Sequence, residues 1–200
     1  MAATAQARVQ QVVTSGQFSL DGGTWDVDNN VWLVGDDAEV IVIDAPHDAA
    51  GIADAIAGRS VLAIVLTHGH NDHINAAVEL RELTGAPIWF PSADAMLWQA
   101  EITDASPDHD LVDGTTFEVA GTTLRAIATP GHSPGSTCLY AEGLGVLFSG
   151  DTLFNGGPGA TGRSYSSFDT IVESISQHLL TLPDDTTVHT GHGDDTRIGD

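Results

Sequence analysis

The sequence predicts an α+β chain folded as a four-layer αββα sandwich. Two observations carry that expectation: strand-like runs in the first half give way to helical spacing, and the second half repeats this order of elements without repeating the sequence. At 200 residues, with no long linker or internal repeat, the chain reads as one domain spanning residues 1–200.

In the first half, "NNVWLVGD" and "EVIVIDA" read as two strands separated by a turn, followed by a weak helix near residues 48–57 and a buried strand in "SVLAIVL". "DHINAAVELRELTGA" then places Ile74, Ala77, Leu80 and Leu83 at helical intervals, with Asp72 read as N-cap and Gly85 as stop. In the second half, "TTFEVAG", "TTLRAIAT", "STCLYAE" and "GVLFSG" read as successive short strands. "FDTIVESISQHLL" reads as an amphipathic helix and "TTVHT" as a last strand. Two strand groups, each followed by helices, give two sheets packed face to face with helices outside.

The formal charge is -22, and none of the six basic residues is lysine. Such a surface repels phosphate backbones and anionic membranes, which argues against nucleic acid or a membrane as partner. The start "MAATAQARVQQVV" has no apolar core of leader length, and no run approaches the roughly 18 apolar residues of a membrane span. A cytoplasmic location is expected. Cys138, the one cysteine, sits in the apolar "STCLYA" and reads as a buried, reduced thiol. Nothing in the sequence sets the oligomeric state.

Chemistry concentrates in "THGHNDH", residues 67–73, directly after the apolar run. Residues two apart on extended chain point the same way, so His68 and His70 can reach one metal ion. The turn into the helix then redirects Asp72 and His73 toward a second position. Three later turns add candidates: His132 in "TPGHSPGS", Asp151 in "LFSGDTLF" and His192 in "TGHGDDT". Each follows a strand-like run and sits among glycines, which let backbone approach an ion closely.

On these motifs the chain resembles the metallo-β-lactamase superfamily: its pattern H-x-H-x-D-H, then H, then D, then H is complete and in order, from about Asn30 to His192. The resemblance implies a sandwich of the metallo-β-lactamase type. It also implies that His68, His70 and His132 hold one metal and Asp72, His73 and His192 the other, with Asp151 bridging. Asp44, in "VIDAP", matches a buried acidic residue beneath the site. The cofactors implied are two divalent ions, zinc first, with iron and manganese as the other candidates. Asp72 and Asp151 are then the catalytic carboxylates. Two divalent cations, two carboxylates and one bridging hydroxide leave about +1 to meet an oxyanion. A water held by such a pair has its pKa brought toward roughly 7, so a metal-bound hydroxide can attack at neutral pH.

Asp151 stands where zinc β-lactamases usually carry cysteine, which disfavours antibiotic hydrolysis. The chain is short for the nucleases of the fold. It resembles most the glyoxalase II branch, hydroxyacylglutathione hydrolases that cleave S-acylated thiols such as S-lactoylglutathione. That resemblance implies a small-molecule substrate, an acylated thiol, and a thiol-contacting loop at "NGGPGATGRSYSSF". Arg163 would pair with a substrate carboxylate there, and Tyr165 would donate a hydrogen bond. The longer members carry a C-terminal helical domain after the last histidine, so the thiol here is expected to be held mainly by the central loop, or to differ from glutathione.

Two alternatives share the ligands. Persulfide dioxygenases resemble this chain in its metal motifs but use one iron, held by residues matching His68, His132 and Asp151; lactonases use the two-metal site. A redox role, as in diiron flavoproteins of this fold, would need a separate electron-transfer partner. His47, His109, His178 and His189 have no counterpart in the ligand pattern; His47 lies near a loop that could border the pocket and reads as a surface residue. Trp32, Trp89 and Trp98 read as core or pocket wall, and Trp25 as part of an N-terminal turn "DGGTWDVDNN" past which a substrate could travel.

Overall fold

A computed structural model of the chain describes residues 6–200; residues 1–5, on which the reading of a missing leader partly rests, lie outside the described residues. The first sheet has the spatial order of its chain order: β1 (Arg8–Leu20), β2 (Gly23–Gly35), β3 (Glu39–Ile43), β4 (Ser60–Val65), β5 (Ile88–Phe90) and β6 (His109–Asp110). Helices α1 (Ala49–Ile56), α2 (Asn71–Ile74), α3 (Ala77–Thr84) and α4 (Ala95–Glu101) lie in its crossovers. The second sheet uses β7 (Thr116–Val119), β8 (Thr122–Ala128), β9 (Thr137–Ala141) and β10 (Val146–Gly150), with β13 (Thr187–Thr190) and β14 (Thr196–Arg197) on the far side of β10. A small hairpin, β11 (Leu153–Phe154) and β12 (Gly157–Pro158), and helix α5 (Phe168–Ser174), which continues through a π-turn over Ile175–Leu179, fill the interval.

Three apolar clusters separate four layers, so the αββα expectation holds. Val40 and Val42 face α1 and α3 in one cluster, while Ile41 and Ile43 of the same strand face the second sheet in another. This is the period-2 alternation of a strand buried on both faces. On the opposite sheet, Leu139 packs inward against Phe148, while Cys138 and Tyr140 face Ile171 and Ile175 of the last helical segment. Cys138 is buried, as expected, and burial pushes its thiol up to about 11.

Three local readings need correction. Residues 23–30 are not a turn: the turn is Asp21–Gly22, both with positive φ, and Trp25 lies on β2 opposite Phe18 of β1. This hairpin was missed because β1 is largely exposed and carries little apolar periodicity. Asp72 is not an N-cap. His70 occupies that position without a side-chain cap bond, and the helix breaks at Asn75–Ala76 into α2 and α3. Lastly, β4 ends at Val65, so His68 and His70 stand on a loop beyond the strand; Gly85 does stop α3, at φ 72°.

Among the described residues no helix is long and apolar enough to cross a membrane.

Candidate metal centre

Strands β8, β10 and β13 all run the same way, because β8 and β10 are both antiparallel to β9 and β13 is parallel to β10. Their C-terminal ends therefore open onto one edge, and the residues that follow, His132, Asp151 and His192, meet there. The loop after β4 brings His68, His70, Asp72 and His73 to the same edge from the other sheet. Two glycines permit the approach: a Cβ at Gly191 would stand 2.2 Å from Asp151 Oδ1, and one at Gly150 2.6 Å from Thr67 Oγ1.

The seven predicted ligands gather into three overlapping groups able to hold a metal: His68, His70 and His132; Asp72, His73 and His192; and, between them, His68, His73 and Asp151. In the first, His70 Nδ1 lies 3.1 Å from His68 Nε2 and 3.0 Å from His132 Nε2. In the second, His192 Nε2 lies 3.3 Å from both Asp72 Oδ2 and His73 Nε2. Asp151 reaches both: Oδ1 is 3.3 Å from His73 Nε2, while Oδ2 is 3.5 Å from His132 Nε2 and 3.4 Å from His192 Nε2.

The outer ring nitrogens are tied down except that of His70, whose buried Nε2 has no partner among the described residues; His68 Nδ1 meets Thr67 Oγ1 at 3.0 Å. His132 Nδ1 donates to Ala160 O at 2.8 Å and His192 Nδ1 to Asp28 O at 2.7 Å. A carbonyl only accepts, so each Nδ1 carries a proton and Nε2 is the nitrogen turned toward the centre. His73 Nδ1 meets Asp44 Oδ2 at 2.8 Å, and Asp44 also accepts from Thr67 N and Thr67 Oγ1. These contacts hold Asp44 at φ 61°, a conformation few non-glycine residues adopt. It sits beneath the ligands, orienting His73.

Electrostatics divide the clusters. Burial holds His68 well below the ordinary imidazole range and takes His70 down to about 3, so both are neutral at pH 7. Burial also disfavours charge on His73 and His192, but carboxylates outweigh it: Asp151, Asp44 and Asp72 hold His73 well above its usual value, and Asp151 and Asp72 raise His192 to about 10. Asp151 stays far below the carboxylate range despite burial, through His192 and His73. Without a cation, protons on His73 and His192 balance the buried carboxylates.

The donor set fits divalent ions. Neutral His68 and His70 converge on His132, and the buried Asp151 Oδ1 has only the His73 ring nearby, at 3.3 Å and outside hydrogen-bond geometry. A coordinating cation relieves both costs, and imidazole nitrogen with carboxylate oxygen suits zinc, iron or manganese.

Beside the centre lies a cavity of about 260 Å³, walled by Phe18, Trp25 and Val27 on one side and Ala160, Arg163 and Ser164 on the other. The Arg163 guanidinium stacks 3.9 Å from the centroid of Trp25, and Ser164 N donates to Asp21 Oδ2 at 2.9 Å. Tyr165 stands apart: it is 55% exposed, has φ 70° and does not line the cavity.

Four residues outside the ligand motifs also serve the site. Asn29 Nδ2 donates to Asp72 Oδ2, and Asn29 Oδ1 meets His47 Nε2 at 2.9 Å. His47 is therefore half-buried beneath Gly16 rather than a surface residue. Asp94, fully buried, lies behind the His68–His70 loop, and Phe18 packs on His70. The doubled asparagine before "VWLV" was the one sequence signal for any of them. His189 is likewise buried, between Trp32 and Phe148, away from the ligands.

The sequence profile described as metallo-beta-lactamase superfamily matches residues 24–192. The chain belongs to the metallo-β-lactamase superfamily. Among its relatives in this superfamily, the probable metallo-hydrolase YqgX of Bacillus subtilis is 35% identical over 184 residues, covering 85% of this chain and 87% of that protein. The hydroxyacylglutathione hydrolase of Salmonella dublin is 34% identical over 167 residues, covering 82% of this chain; the chain spans 62% of that enzyme's length. Among solved metallo-β-lactamase folds, TTHA1623 in a di-iron-bound form superposes with a TM-score of 0.77 at 28% identity, covering 86% of this chain and 91% of that one.

Proposed function

We propose that the chain is a dinuclear metal-dependent hydrolase that cleaves a thioester of a low-molecular-weight thiol. The observation carrying this reading is the pair of clusters able to hold a metal, with Asp151 within reach of both, at one wall of a cavity lined by aromatic rings and one arginine. His68, His70 and His132 would hold one ion, Asp72, His73 and His192 the other, and Asp151 both. When bound, two such ions polarise a carbonyl and lower the pKa of a water toward roughly 7.

The chain's own residues do the rest. Asp151 and Asp72 supply the negative charge that partly neutralises the ions, leaving a positive site for a developing oxyanion. Phe18, Trp25 and Val27 give the cavity an apolar wall. Arg163 makes no ion pair among the described residues, so its N–H fork is available to an anionic group of the thiol carrier. The bond from His132 Nδ1 to Ala160 O ties the Arg163 loop to a ligand, fixing where such a carrier sits relative to the centre. Tyr165 would contribute only at the outer edge, by a hydrogen bond to the projecting carrier.

The likeness to a hydroxyacylglutathione hydrolase supports a thioester over a lactone or a β-lactam. Zinc is the proposed occupant, and the di-iron-bound neighbour makes iron the alternative. Metal analysis of protein purified without added metal, combined with a panel of acyl-thiols and lactones, tests the reading. About two ions per chain with thioester cleavage are expected; one iron per chain with oxygen uptake would overturn it in favour of a persulfide dioxygenase. A small-molecule substrate and a cytoplasmic location complete the proposal.

A further inference from the structure

Asp94 ends a short 3-10 turn, Ser92–Asp94, that leads into α4, and its carboxylate is wholly enclosed. Its contacts are three donors from two different loops. Gly69 N donates to Oδ2 at 2.8 Å, Ser133 Oγ to Oδ2 at 2.6 Å and Gly135 N to Oδ1 at 2.6 Å. Gly69 lies between His68 and His70, and Ser133 follows His132. The approach is close enough to require both glycines: a Cβ at Gly69 would stand 2.8 Å from Asp94 Cβ, and one at Gly135 2.7 Å from Asp94 Cγ. Burying a carboxylate is costly unless each oxygen is satisfied, so this arrangement persists only while both loops are in place.

We infer that Asp94 is a positioning residue for the His68–His70–His132 cluster alone, clamping the two loops whose register makes those three imidazoles converge. It touches no residue of the Asp72–His73–His192 cluster, which Asp44, Asn29 and the Asp28 carbonyl hold instead. The inference rests on the seven residues being metal ligands. The burden on Asp94 is geometric, since it contacts backbone and a serine rather than the rings themselves.

The test titrates metal-free protein with Co²⁺, followed by visible absorption, and with Zn²⁺ against a chromophoric chelator. Wild type that takes up no ion would strike the ligand reading itself, before any variant is made. Asp94→Asn forces an amide N–H against donors, and should weaken one site by about 10–100-fold while leaving the other unchanged. In a His192→Ala background the loss should persist at the surviving site; in a His70→Ala background it should vanish. Equal weakening of both sites, or an unchanged titration, would overturn the proposal. If Asp94→Asn does not fold, Ser133→Ala keeps the carboxylate and both glycine bonds. It should weaken the same single site by several-fold, and an effect on the other site or on neither would be equally decisive against it.

Discussion

Asn29 Nδ2 donates a 3.1 Å hydrogen bond to Asp72 Oδ2, linking β2 to the short helix that carries two of the candidate ligands. The same amide holds His47 through its oxygen, and Asn75 Oδ1 in turn accepts from His47 N, so a continuous chain runs from α2 through the β1–β2 hairpin and back. Asn29→Ala breaks it at the centre. Zinc affinity at the Asp72 cluster should fall about tenfold, while the His70 cluster is unaffected; competition titration with a chelator measures both.

Asp151 reaches His73, His132 and His192, so it belongs to both clusters. Asp151→Ala should cost metal content and rate together, with turnover down at least about 100-fold. Full metal content with normal turnover would refute the shared role.

The Arg163–Trp25 stack places one cation at the cavity wall. Arg163→Ala should leave two ions in place and raise KM for an anionic acyl-thiol by roughly 30-fold, the equivalent of about 2 kcal/mol for a charge-assisted hydrogen bond. Tyr165→Phe, at an exposed position outside the cavity, should change KM far less. An Arg163 variant with unchanged KM would remove it from substrate binding.

Metal uptake should release protons from one cluster only. Carboxylates outweigh burial to hold His192 at about 10, above its unfolded value near 6.5, so in metal-free protein its proton stabilises the fold below pH 6.5 and that contribution is lost as pH rises through about 10. At pH 7.5 a cation entering the Asp72 cluster must displace that proton and the one on His73. His70, held near 3 by burial, has none to give. Calorimetric titration in buffers of different ionisation enthalpy counts the protons; identical heats in all buffers would contradict this assignment.

The seven candidate ligands, which the fold brings together, were legible because each interrupts a strong apolar signal: "SVLAIVL" ends in "THGHNDH", and "GVLFSG" ends in Asp151. Strands buried on two faces announce themselves, and so do their terminations. Residues whose importance lies only in a distant partner could not be read. Asp94 sits in "PSADA" with nothing local to mark it, and its donors lie 25 to 41 residues away. His47 looked like a surface histidine for the same reason. The β1–β2 hairpin escaped because its outer half packs on little, so its alternation carries no apolar contrast. Asp72 passed as an N-cap because a helix start and a metal site both favour aspartate; here His70 holds the N-cap position and the Asp72 carboxylate faces His192 instead.

Each cluster draws its candidate ligands from both halves of the chain: His68 and His70 meet His132, and Asp72 and His73 meet His192. Neither half holds a full set, so a cation that binds here also fastens one sheet to the other. A chelator would then loosen the seam between β6 and β7 as well as stop turnover. The exposed connector at residues 112–115 becomes the place where a protease reports whether the ions are home.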